Sequence, residues 1–236
     1  MKAKIKLNIS DHRYDTLVDQ TGLAIDIPMS DQLKVLKSAL ARPVEMVEEM
    51  GEGSRLTCCD LGEHSGFFAG LETLKDKFYI REGYNDLLTE MNRLWADSAR
   101  NRVVLLGNSG TGKSWYQIFV LRQLLRRDNN PNEYQYVIRQ VAAQIYLIDL
   151  NECQAYLWYP RQMPFPMSHI IDRMKFTLYL YEPELLHEIP PMNLGALPSL
   201  ATLSPYLERI KEYSKSLRYE ELYFWPWSFS EMNAVA

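Results

Sequence analysis

The sequence predicts an α/β protein in which a mainly parallel sheet surrounds a phosphate-binding loop (residues 75–236), preceded by a small α+β module (residues 1–74). Three observations predict it. Gly107-Asn108-Ser109-Gly110-Thr111-Gly112-Lys113-Ser114 is a complete GxxxxGKS sequence. The run Arg102–Leu106 before it reads as a buried strand, and Trp115–Arg127 after it, free of Gly and Pro, reads as a helix. The first forty residues carry a separate pattern of strand, strand and helix.

Strand, loop and helix in that order are the context this motif needs, which disfavours a chance match in a glycine-containing loop. The glycines let successive backbone N–H groups turn toward an anion, and the helix N-terminus adds partial positive charge. Lys113 is placed to reach the β- and γ-phosphates and the Ser114 hydroxyl to ligate Mg²⁺, while Trp115 completes the binding stretch. Without ligand the Lys113 ammonium is expected to be solvated. The expected ligand is a nucleoside triphosphate, ATP or GTP, with Mg²⁺.

Taken in order, Ala3, Ile5, Leu7 and Ile9 alternate with polar residues, as do Leu23, Ile25 and Ile27. Ser30 then caps an amphipathic segment, 31–41, with Leu33, Leu36 and Leu40 on one side. A ubiquitin-like β-grasp module opens this way, and so do unrelated small α+β units. Residues 42–76 show no clear element beyond the loop Gly51-Glu52-Gly53-Ser54 and a second loop over Gly62 to Gly70. Lys77–Tyr84 leads into a helix whose stripe is Leu87, Leu88, Met91, Leu94 and Trp95.

Beyond the loop's helix, Asp128–Asn132 breaks the chain, with Arg126 and Arg127 suited to a helix C-terminus. Strands are predicted over 134–139, 144–150 and 154–159, the last two forming a hairpin, and over Lys175–Glu182. Two carboxylates compete for the acid that would stand behind Mg²⁺. Asp149 heads a hairpin and is therefore antiparallel. Glu182 ends a strand reached by a long crossover, as a parallel neighbour of the loop's strand would be, and is preferred. Toward the C-terminus, Trp225-Pro226-Trp227 admits ligand stacking, but a packed strand end is the simpler reading.

Composition narrows the function classes. The 236 residues are 47% apolar, enough for a sizeable core, and the net charge of −4 does not point to nucleic acid or an anionic membrane. No apolar run approaches a bilayer span, and Met1–Lys6 does not open a signal peptide. Three cysteines and four scattered histidines lack disulfide-framework or zinc spacing.

The motifs together resemble one family. Phe78-Tyr79-Ile80-Arg81-Glu82-Gly83-Tyr84 is similar to the YIRxxY segment of the Crinkler effectors. Leu105–Ser114 resembles their P-loop, Leu203-Ser204-Pro205 lies where they carry Ser-Ser-Pro, and Tyr223–Ser228 resembles their YMPxWS element. The trypanosomatid retrotransposon-hot-spot proteins share this NTPase core, and the likeness covers roughly 66–236. It implies a STAND-like or AAA-like P-loop NTPase that hydrolyses ATP with Mg²⁺, with Lys113, Glu182 and Ser204 (a γ-phosphate sensor) in catalytic roles. It also agrees with a ubiquitin-like header, and it implies a protein partner or self-association and export into host cells and nuclei; otherwise the chain is expected to be cytoplasmic. The chain departs from the family in lacking LFLAK, in carrying Glu182 where Asp is usual, and in ending soon after Ser228 without a lid or toxin domain. No arginine finger is assignable. A nucleotide-gated interaction module with negligible turnover and a small-molecule or nucleoside kinase are the competing readings.

Overall fold

A computed structural model describes residues 45–48, 55–60, 77–81, 83–126, 131–141, 144–151, 154–158, 176–183, 197–205, 218–228 and 231–232. The strands expected at 3–9 and 23–27, the helix at 31–41 and the β-grasp reading lie outside the described residues.

Two sheets are present among the described residues. The smaller is antiparallel, β1 (Glu45–Glu48), β2 (Arg55–Asp60) and β3 (Lys77–Ile80) in that order. Its β2–β3 pairing joins stretches on either side of the expected boundary at 74/75. The first two of these strands lie in the region that showed no clear element.

The larger sheet is mixed and mostly parallel, so the chain is α/β. It contains β4 (Arg102–Leu106), β5 (Tyr136–Val141), β6 (Gln144–Asp149), β7 (Gln154–Trp158), β8 (Thr177–Glu182), β9 (Ser199–Leu203) and β10 (Glu220–Tyr223). The spatial order is β10-β4-β9-β8-β5-β6-β7. Every neighbour pair from β10 to β5 is parallel. The hairpin partners β5–β6 and β6–β7 are antiparallel.

Glu182 therefore ends a parallel strand, but not one adjacent to the loop's strand as expected. β9 lies between them, with Leu106 opposite Leu203 and Tyr181 opposite Ala201. The reason is burial: Ser199–Leu203 is buried at every position, and a short strand covered on both faces fits the middle of a parallel sheet. In β10 buried-side and exposed positions alternate, which suits its place at the sheet edge.

Two helices pack against this sheet among the described residues: α1 (Tyr84–Ala96) and α2 (Lys113–Arg126). In α1 the buried residues Tyr84, Leu88, Met91 and Trp95 recur at helical spacing, which makes one continuous face. Trp95 also donates its indole N–H to the Ser199 carbonyl (3.1 Å), tying that face to β9. The second helix begins at Lys113, two residues earlier than predicted, and is buried from Tyr116 to Leu125. A cluster of rings locks the two helices and the end of β10 together. Tyr84 lies 5.1 Å from both Tyr116 and Phe119, and 5.8 Å from Phe224. No described helix is long and apolar enough to cross a membrane.

The turn into α1 depends on one glycine. Gly83 has φ +80°, and a Cβ there would stand 2.9 Å from Cζ2 of Trp225. Backbone conformation and a fixed ring both oppose a side chain at this point. Gly83→Ala should destabilise the fold by about 2 kcal/mol, seen in urea denaturation as a lower midpoint at an unchanged slope. An unchanged midpoint would show that Trp225 moves away freely.

Candidate functional site

The loop 107–112 leaves the end of β4 and runs directly into the first turn of α2. Gly110 (φ +78°) and Gly112 (φ +92°) adopt left-handed backbone, which a side chain would resist. Above Gly110 the space is open: nothing lies within 4 Å of where a Cβ would be. Two left-handed glycines immediately before a helix N-terminus are a backbone pattern able to turn N–H groups toward an anion.

Lys113 is half-buried and bonded to its own loop, rather than free in solvent as expected from the sequence. Its ammonium donates to the carbonyls of Gly107 and Asn108, both at 2.6 Å, and lies 3.4 Å from the Thr111 hydroxyl. Partial burial pulls its pKa below the ordinary lysine value, while the Glu182 charge acts in the opposite direction. A lysine satisfied by its own loop must exchange these carbonyls for any ligand it binds.

Ser114 donates its hydroxyl proton to Oε1 of Glu182. The other carboxylate oxygen, Oε2, accepts from Nη2 of Arg139 at 2.9 Å. The Arg139 guanidinium is fully buried; its Nε donates to Gln117 Oε1 (3.2 Å), whose amide donates to the Tyr181 carbonyl and the Thr202 hydroxyl, both at 2.9 Å. Burial pulls the Arg139 pKa below its usual value, and Glu182 acts against that. This network connects α2, β5, β8 and β9 beneath the loop.

Sequence reasoning missed Arg139 and Gln117. A cation inside the apolar run Tyr136–Val141 was the available signal, because a buried arginine requires a carboxylate nearby. Asp149, the competing acid, lies elsewhere. It pairs with Tyr136 at the start of β5, whereas Glu182 pairs with Val141 at its end, so the two acids lie at opposite ends of the strands. Ser204 directly follows β9, level with Gly107 across the β4–β9 pair and between the loop's strand and the acid's strand. Trp115, the next residue after Ser114, packs against the hydrophobic core.

A second network holds the loop from the other side. Arg81 is 1% exposed. Its N–H groups donate to Glu231 (Nε–Oε1 and Nη2–Oε2, both 3.0 Å) and to the carbonyls of Thr111 (2.8 Å), Trp225 (3.2 Å) and Pro226 (2.8 Å). That uses all five donors a guanidinium carries. Its central carbon lies 4.5 Å from the Trp227 ring centroid. Glu231 and Ser228 exchange hydrogen bonds reciprocally, the arrangement of a capping box. Trp227 donates its indole N–H to the Gly110 carbonyl (3.0 Å), and the Tyr84 hydroxyl approaches the Gly112 carbonyl (3.4 Å).

A magnesium site can be tested against these groups. Mg²⁺ bound with a nucleotide takes one or two protein oxygens and completes its shell with phosphates and waters. Ser114 and Glu182, in contact just after the 107–112 loop, would be such a minimal set. Among the described residues no group of three or more His, Cys, Asp or Glu could hold a metal ion independently of such a ligand.

Two predictions follow from these contacts. Lys113→Ala should lower unliganded stability by roughly 1–2 kcal/mol, because two loop carbonyls lose a charged donor; urea denaturation reads it. The second concerns Glu231. Burial alone would raise its carboxyl, but hydrogen bonds from Arg81 and Ser228 outweigh it and hold the pKa below the usual value. A depressed carboxylate stabilises the fold above its ordinary titration range, and that stabilisation is lost as pH falls through the lower folded value. Glu231→Gln should therefore flatten the acid limb of melting temperature between about pH 6 and pH 3. An acid limb identical to wild type would place the pH-sensitive contact elsewhere.

No protein-family model and no curated protein matches this chain, so the Crinkler likeness rests on its motifs alone.

Proposed function

We propose that this chain is an ATP-binding P-loop NTPase of the kind found in Crinkler effectors and retrotransposon-hot-spot proteins, hydrolysing ATP with Mg²⁺. The observation that carries the reading is the GxxxxGKS loop running from a parallel strand into a helix whose second residue, Ser114, contacts Glu182. Hydroxyl and carboxylate converge at the place where a loop-bound triphosphate would carry its metal.

In this mechanism the N–H groups from Asn108 to Lys113 bind the β- and γ-phosphate oxygens. Lys113 leaves the Gly107 and Asn108 carbonyls and donates to the same oxygens. Ser114, through its hydroxyl oxygen, and Glu182, through a water, would hold Mg²⁺. Mg²⁺, when bound, would neutralise charge that builds up on the phosphates during transfer. Water adds to the γ-phosphorus as the bond to the β–γ bridging oxygen breaks, and the proton passes to solvent. Ser204, level with the first loop glycine, would donate to the γ-phosphate, a role that rests on the family resemblance.

A second reading, a nucleotide-gated interaction module with negligible turnover, is favoured by one set of contacts. Ser114 and Arg139 already engage both oxygens of the Glu182 carboxylate, which leaves it less able to orient an attacking water. Single-turnover phosphate release separates the two: prompt release supports hydrolysis, and bound ATP recovered intact supports the gate.

Mg·ATP at about a hundred times its Kd should stabilise the protein by roughly 2.7 kcal/mol, a rise of about 5–10 °C in melting temperature. Lys113→Ala should abolish most of that rise. No shift in the wild type would refute nucleotide binding. Glu182→Gln should weaken the Mg²⁺-dependent part of ATP affinity by about 1–3 kcal/mol, read by titrating Mg²⁺ at fixed ATP. Asp149→Asn, at the opposite end of the strands, should change it by less than about 0.5 kcal/mol. The reverse ranking would assign the metal to Asp149.

A further inference from the structure

Residues 224–228 follow β10, and the structure gives their two tryptophans different environments. Trp225 is occupied by packing: it stacks on Phe224 at 5.1 Å with 14° between planes, and its ring edge stands against Gly83. Trp227 is half-buried and lies at the loop itself. Its indole N–H holds the Gly110 carbonyl, and its Cζ2 would stand 3.8 Å from a Cβ on Gly112. The face it turns to Arg81 is closed to solvent, since that guanidinium is 1% exposed and 4.5 Å from the ring centroid. With that face covered, the half-exposure of the indole falls on the rest of the ring.

Position relative to the loop supplies the second argument. Ser114 and Glu182 mark the metal side, toward β9 and β8. Trp227 stands on the other flank of β4, where Phe224 N–H extends the β10 ladder to the Leu106 carbonyl (2.6 Å). A triphosphate with its metal-bearing end at Ser114 directs its nucleoside end away from Glu182, toward that flank. An indole held from behind by a cation presents a fixed π-face at low entropic cost, and bases stack on such faces.

We propose that Trp227, backed by Arg81, is the stacking seat for the base of the nucleotide whose phosphates the 107–114 loop holds. This inference rests on the phosphate-binding reading above. It assigns a role to an aromatic residue for which packing was the simpler sequence reading. Purine bases, with the larger π-surface, stack on it more strongly than pyrimidines.

The experiment compares ATP with inorganic tripolyphosphate, which has the phosphates and no base, by calorimetry on the wild type, Trp227→Phe and Trp227→Leu. The wild type should prefer ATP by roughly ten-fold or more. Trp227→Phe should keep most of that preference and Trp227→Leu should lose it. The ratio is the readout because the indole also touches the loop, so both ligands can weaken together. Photolabelling of the wild type with 8-azido-ATP, which needs no variant, should mark the peptide containing Trp227, and excess ATP should suppress the label. A wild type that binds tripolyphosphate as tightly as ATP, a Trp227→Leu ratio equal to wild type, or a label confined to another peptide would each overturn the stacking seat while leaving the phosphate site standing. Failure of both ATP and tripolyphosphate to bind would overturn the phosphate site itself, and the seat with it.

Discussion

The Arg81 guanidinium is the contact on which the arrangement around the loop depends. A fully buried cation with five N–H groups is stable only if every donor finds an acceptor, and a carboxylate supplies compensating charge. Here the acceptors come from widely separated stretches: Thr111 in the loop, Trp225 and Pro226 after β10, and Glu231 near the C-terminus. No one of these stretches can shift without orphaning a buried donor. Desolvation thus turns a single side chain into a geometric constraint on the loop. Three aromatic rings, Phe224, Trp225 and Trp227, lie 4.5–5.4 Å from the same charge and exclude water from it.

Across the loop, Arg139 has the comparable task of fixing Glu182. Both arginines are buried and both pair with a glutamate, but the surroundings of those glutamates differ. Glu231 is enclosed by hydrogen bonds from Arg81 and from Ser228. Glu182, with 17% of its side chain exposed, also touches Ser114, a hydroxyl at the start of α2. The first pair is closed on itself. The second reaches the first turn of α2, directly after the 107–112 loop.

Much of the large sheet was legible in the sequence, for identifiable reasons. Buried parallel strands such as β4 and β8 are continuous apolar runs, and a Gly/Pro-free segment after GxxxxGKS leaves little alternative to a helix. Strand ends missed by two residues at β5, where Tyr134 is buried ahead of the strand, because burial and pairing are separate properties. Short, charged segments were illegible. Glu45–Glu48 and Arg55–Asp60 become strands by pairing with each other and with β3, a non-local interaction that their composition does not announce.

For the site, the sequence alone determined the loop residues 107–114 and the existence of a carboxylate-ended strand, since both follow from local spacing. It also ranked Glu182 over Asp149, because crossover length separates a parallel strand from a hairpin arm. Only the tertiary structure decided that β9 intervenes between loop and acid, that Arg139 holds Glu182, and that Lys113 rests on its own loop's carbonyls. It alone brought Arg81, Trp227 and Glu231 to the other flank. These are contacts between residues as much as 150 positions apart in the chain. Their formation depends on which buried donors must find acceptors once the sheet has closed, and local spacing carries no record of that.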